Sequence, residues 1–390
     1  MDGNSLGPLT RSGALHVGRA LDDWRRLGVG GWSDGQPPWY TWPEALAAAM
    51  AAPLLGARPG EVAITGQTTL NLHQLLATFY RPTAGRSRIV VDALAFPTDR
   101  YAADSTLARM GRGPEDLVVV PSRDGRTLAL EDVLDAIDER TALCVLPSVL
   151  YRSGQLLDVA QVAGHVRRMG AFLILDLSHS VGILPHELTA WGVDAAVWCN
   201  YKYLSGGPGA VGGLYLAARH HHARPALAGW WGSDKRRQFA MEAAMAPAPD
   251  AGRLQVGTPP ILSLAPLAGM LELLADLPMT VVREASLALT GYLMARADER
   301  LAALGVAVGT PREAAARGGH VALEHPEARR ISLALRRLGV VPDFRPPDVV
   351  RLCPNPLYHG ERDVDLAIEA VRRVLDEHLY EAAFEAADVT

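Results

Sequence analysis

Seven short apolar runs alternate with helical stretches through the first two-thirds of this 390-residue chain. That alternation constrains the fold more than any other feature. The runs span 62–64, 88–91, 117–120, 142–146, 172–175, 195–198 and 212–216. Stretches such as 69–80 and 159–169 carry helical periodicity between them, and Thr41-Trp-Pro43-Glu44 has the capping-box spacing before an alanine-rich helix. Short buried strands separated by helices describe an α/β architecture, a mostly parallel sheet covered by helices. Past about Leu274 the pattern changes. One long amphipathic stretch, 279–304, leads into strand-like runs at 306–308, 319–323 and 349–352, with helices at 326–338 and 361–379. This is the pattern of a smaller α+β unit with the long helix as connector. The acidic, alanine-rich tail after Tyr380 reads as a fraying helix end.

Composition removes several classes. A net charge of -5 gives no electrostatic reason to expect nucleic acid or an anionic membrane as partner. Cys144, Cys199 and Cys353 are too few and too scattered for a disulfide framework. The opening residues lack the basic start and apolar core of a signal peptide, and the longest apolar run, 45–57, contains Pro53 and is too short to span a bilayer. A cytoplasmic protein is expected. His220-His221-His222 point in different directions on any helix, so no metal site is expected there or elsewhere.

Two runs end in chemistry. The fifth delivers Asp176 at its carboxyl end; the sixth leads into Asn-Tyr201-Lys202-Tyr-Leu-Ser-Gly-Gly-Pro-Gly209. A pyridoxal phosphate enzyme needs a lysine to hold the aldehyde and an acid to keep the pyridine nitrogen protonated. Taken alone, Asp176 also reads as a helix cap and Lys202 as a solvated turn lysine. Thr68 and Thr69 follow a strand and open a helix, where hydroxyls and free N–H groups bind phosphate or simply cap. His179, three residues past Asp176, is placed to orient that acid or to meet the cofactor.

In order along the chain stand Asp2-Gly-Asn-Ser-Leu-Gly7, Phe96-Pro-Thr-Asp99, Asp176-Leu-Ser-His179, the Lys202 segment, Gly229-Trp-Trp-Gly232, Gly257-Thr-Pro-Pro-Ile261 and Pro356-Leu-Tyr358. With these motifs the chain resembles the kynureninases, class-V enzymes of the fold-type-I pyridoxal phosphate group. Class-V relatives such as cysteine desulfurases are expected to share the acid and lysine but not the opening Asp-Gly-Asn-Ser-Leu-Gly, the Gly-Trp-Trp-Gly or the Gly-Thr-Pro-Pro segment. The resemblance implies a large cofactor domain at 41–280, a small domain at 281–390, and residues 1–40 belonging with the small domain. It implies a homodimer that hydrolyses L-kynurenine or its 3-hydroxy form to anthranilate or 3-hydroxyanthranilate and L-alanine. The alternative is a related lyase or hydrolase acting on another amino acid. By the same resemblance, Lys202, Asp176 and Tyr201 are catalytic. Thr68, Thr69, Phe96, Thr98, Asp99, His179, Trp230 and Thr258 hold the cofactor, the last two from a neighbouring chain. Ser5, Trp32 and Arg351 meet the substrate, Arg351 by gripping its α-carboxylate. The chain departs from the family pattern at Pro147, Leu150, Ser233 and Cys353-Pro-Asn355, all expected to ring the substrate.

Overall fold

The computed structural model describes residues 1–382; part of the acidic tail lies outside them. All seven expected runs form one sheet: β1 (Val62–Ile64), β2 (Arg88–Asp92), β3 (Leu117–Val120), β4 (Thr141–Pro147), β5 (Phe172–Asp176), β6 (Ala195–Cys199) and β7 (Gly212–Leu216). Their order is β1-β7-β6-β5-β4-β2-β3, with β7 antiparallel to both neighbours and the rest parallel. β6 and β7 are buried at every position, as strands covered on both faces must be. Four strands run one residue further than hydrophobicity alone marks, because Asp92, Pro147, Asp176 and Cys199 still lie on the ladder while ending the apolar run.

The covering helices follow the expected periodicity. Val159–Arg168 buries Val159, Val162, Ala163 and Val166 on one stripe, is capped by Asp158 accepting from Gln161 N–H, and ends in Arg167 and Arg168. The capping box expected at Thr41 does not form: Trp42–Leu55 begins without a side-chain cap, and Glu44 lies 3.3 Å from Lys235 instead. His220 packs beside Phe172 and bonds Asp194 at 2.7 Å, while His221 reaches the Leu216 carbonyl. The three cysteines are buried and free.

A second, antiparallel sheet has the order β10-β11-β9-β8, comprising β8 (Ala307–Val308), β9 (Val321–Glu324), β10 (Asp343–Arg345) and β11 (Val349–Leu352). Helices Met279–Leu301, Ala328–Arg337 and Glu361–Asp376 close its core through Leu293, Leu301, Ile331, Leu335, Val364 and Val371. β10 has no counterpart in the hydrophobic pattern.

Residues 1–40, expected with the small domain, divide between the two units. Asp2 bridges Cys353 and Ser5 bonds Asp343, so the first residues do lie against the small sheet. The following helix, Arg11–Leu27, capped by Thr10, instead packs along Ile261–Leu274, and Ala20 and Trp39 join the large core. Glycine permits that approach: a Cβ on Gly269 would stand 2.2 Å from the Gly13 nitrogen.

Candidate active site

The carboxyl ends of parallel strands are where open α/β sheets bind ligands, and here the ends of β2, β4, β5 and β6 surround a cavity of about 290 Å³. Asp176 terminates β5, in register with Pro147 of β4 and Val197 of β6. Three residues beyond β6 stands Lys202, in a turn that the small residues around it make possible. Ser205 takes a left-handed φ of 48°, Gly207 and Gly209 are also left-handed, and Gly206 N–H closes on the Asn200 carbonyl. The amino-terminal motif seals this turn: Gly7 N–H donates to the Tyr201 carbonyl at 2.8 Å, and a Cβ on Gly7 would meet the Lys202 carbonyl at 2.3 Å. The opening motif is thus bound to the lysine turn by contact.

Ser5, Thr68, Thr69, Phe96, Thr98, Asp99, Asp176, His179, Tyr201 and Lys202, all singled out from the sequence, line this cavity together. Thr68 and Thr69 begin the twelve-residue helix Thr68–Phe79, whose start has no side-chain cap, so first-turn N–H groups are left for a phosphate. Phe96 is 42% exposed and meets Tyr151 edge-on at 5.5 Å, leaving ring surface to the cavity. Asp176 accepts from Ser178 N–H through one oxygen. Asp99 is buried; burial first, then Asp176 and Asp92, push its carboxyl well above the usual range, and its Oδ2 has no hydrogen-bond partner. Burial, then the neighbouring Cys199, raise the Tyr201 phenol.

His179 does not orient Asp176 by a hydrogen bond: its Nε2 lies 2.8 Å from Lys202 Nζ. Burial, followed by Lys202, Arg351, His320 and Arg345, holds this imidazole uncharged, and its Nδ1 has no partner. A cavity with a lysine, an acid at a strand end, an exposed aromatic face, an uncapped helix start and two unpartnered buried polar atoms fits pyridoxal phosphate in size and donor set.

Other expected residues are not brought there by a single chain. Arg351, expected to grip the substrate carboxylate, does not itself line the cavity: it is 1% exposed and its fork bonds Asp343, its register partner on β10, and the Tyr151 carbonyl. It adjoins the cavity through two wall residues, Ser5, whose Oγ accepts from Nη2 at 3.1 Å, and Tyr151, whose carbonyl accepts from Nη1. Burial alone would raise the Asp343 carboxyl, but Arg351 overrides it and holds it down to about 2. The arginine on the wall is Arg345, which also bonds Asp343 at 3.0 Å. Sequence reading passed over Arg345 and Tyr151; the one signal was an arginine just before Pro346-Pro347. Trp32 packs between Trp39 and Trp231 and does not line the cavity. Thr258 lines a separate hollow with Gly66, Gln67 and Leu70, and Trp230 is 43% exposed. Of the departures from the family pattern, only Pro147 is on the wall; Leu150 and Cys353 are core residues, and Ser233 is buried beside Pro247.

This fold with this lysine and acid defines a pyridoxal phosphate enzyme of fold type I. Solved structures agree on the fold. A structure of C-DES, a cystine C-S lyase, with glycine covalently linked to its PLP cofactor superposes with TM-score 0.81 at 18% identity, covering 95% of each chain. A cysteine desulfurase from Thermococcus onnurineus NA1 gives 0.80 at 16% identity, covering 96% of this chain and 94% of that one. Sequence goes further. Kynureninases from Geobacillus thermodenitrificans and Bacillus thuringiensis subsp. konkukian are 46% and 45% identical over 381 residues, 97% of this chain and 89% of theirs. Residues 282–371 match the kynureninase C-terminal domain. The chain belongs to the kynureninase family, pyridoxal phosphate-dependent hydrolases that cleave a carbon–carbon bond of kynurenine.

Proposed function

We propose that this protein hydrolyses the Cβ–Cγ bond of L-kynurenine, or of its 3-hydroxy form, giving anthranilate or 3-hydroxyanthranilate and L-alanine. The observation that carries the reading is the convergence of Lys202 and Asp176 in one cavity, in a chain so similar to named kynureninases. When bound, pyridoxal phosphate supplies the electron sink for the substrate carbanion. Asp176 stands at the strand end, where it would face the pyridine nitrogen. Thr68 and Thr69 would receive the phosphate, Phe96 would offer its ring face to the pyridine, and Thr98, Asp99 and His179 would complete the pocket. Lys202 takes the Cα proton and Tyr201 helps return one, and water adds to the γ-carbonyl before the bond breaks.

The substrate carboxylate is received at the Ser5 corner, with Arg345 on the wall and Arg351 behind Ser5. Trp230 and Thr258 act at the phosphate of a neighbouring chain's site, so the working unit is a homodimer. The exposed Leu70, Phe239, Met241 and Leu262 support a covered face. Among the described residues no single helix is long and apolar enough to cross a membrane; we place the enzyme in the cytoplasm. Pro147 on the wall is the one observation favouring a different amino-acid substrate. Offering L-kynurenine and 3-hydroxy-L-kynurenine to the loaded enzyme decides the matter. Fluorescent anthranilate products with equimolar alanine are expected, and no aromatic product from either would overturn the reading.

A further inference from the structure

His320 is completely buried just before β9, close to the Tyr151 backbone. Its ring lies 5.5 Å from that of His179, inclined at 59°. The two residues come from different units: His179 follows β5 of the large sheet, and His320 leads into β9 of the small one. The approach is built in. Gly318 N–H donates to the Gly154 carbonyl at 2.7 Å, and a Cβ on Gly154 would stand 2.8 Å from the His320 carbonyl.

We propose that His320 is a positioning residue for the reaction at Lys202: its ring seats His179, and His179 Nε2 in turn fixes the Lys202 amine at the cavity. His179 has one hydrogen bond, to Lys202, and its Nδ1 has none, so packing sets the rotation of its ring. The charged groups bearing on His179 are Lys202, after β6, and Arg345 and Arg351, on β10 and β11. All are cations, and the fourth neighbour, His320, is itself kept uncharged by burial and Arg351, its pKa pushed down to about 3. An uncharged His179 accepts a hydrogen bond from the Lys202 amine, and a residue of the small sheet determines whether it is aimed to do so.

The proposal rests on Lys202 being the reactive amine, and its test does not need kynurenine cleavage. In the cofactor-free protein, Lys202 is reductively methylated with formaldehyde and cyanoborohydride across pH and followed by peptide mass spectrometry. His179→Leu removes the acceptor and should lower the labelling midpoint of Lys202 by half a pH unit or more. His320→Ala should move it the same way, His320→Gln should sit between, and the double variant should match His179→Leu alone. In the loaded enzyme, His320→Ala should reduce kcat tenfold or more with KM changed less than threefold. If His320→Ala does not fold, His320→Leu carries the same comparison. A parental Lys202 midpoint in the His320 variant, or a shift that adds to that of His179→Leu, would overturn the proposal.

Discussion

Arg345 and Arg351 occupy adjacent strands of the small sheet and share Asp343, but only Arg345 lines the cavity. Arg351 and Asp343 are both fully buried, and deleting one member of such a pair costs roughly 3–5 kcal/mol because the other is left charged and unpaired. Arg351→Ala should therefore lower the melting temperature markedly, and its activity loss will include that damage. Arg345→Ala removes one of the two cations on Asp343, so it should lower the melting temperature less than Arg351→Ala does, and raise KM for L-kynurenine about tenfold or more, as loss of a charge-assisted contact requires. An unaltered KM in Arg345→Ala would remove it from substrate binding. Asp2 adds a pH dependence: burial, then Asp343, raises its carboxyl to about 6. Below that pH Asp2 is neutral and the cluster more positive, so KM should fall as pH drops from 8 to 5.5. The sign should vanish in Asp2→Asn; a KM profile unchanged by that substitution contradicts the assignment.

At the scale of elements, the strand ends hold the chemistry and were the most legible part. Asp176 and the Lys202 turn could be read because a buried parallel strand is a continuous apolar run, and the first polar residue after it marks the end. Asp176→Asn should retain the fold and the bound cofactor but lower kcat by about a hundredfold or more, since an amide does not stabilise the charge that develops on the ring. Near-parental turnover would make Asp176 a turn cap serving Ser178 only. β10 carries no hydrophobic signal because two of its three residues are charged and it runs into two prolines, so Arg345 has no strand to mark it. The Arg11–Leu27 helix was passed over for a different reason. Its buried residues are Gly13, His16, Ala20 and Asp23, which make no hydrophobic stripe, and it is held by close approach at Gly13 and Gly269. His179 was found but not aimed: spacing put it near Asp176, and only the return of β6 beside β5 brings Lys202 to its Nε2.

The whole molecule explains why some motifs do not reach the cavity of their own chain. Trp230 and Thr258 carry family motifs yet stand apart from Lys202, beside exposed apolar residues and a second hollow at the start of the Thr68–Phe79 helix. Motif order along the chain is silent on which copy a residue serves. Sedimentation of the loaded enzyme should give a dimer, and Trp230→Ala should weaken cofactor retention several-fold; a fully active monomer would contradict the shared site. The central claim is that the cavity between Asp176 and Lys202 is the reaction centre, with Lys202 as its covalent anchor. Borohydride reduction of the protein loaded with pyridoxal phosphate, followed by peptide mapping, tests it most directly. The pyridoxyl group should be found on Lys202 in near-stoichiometric amount; a label on another lysine, or on none, would contradict the account.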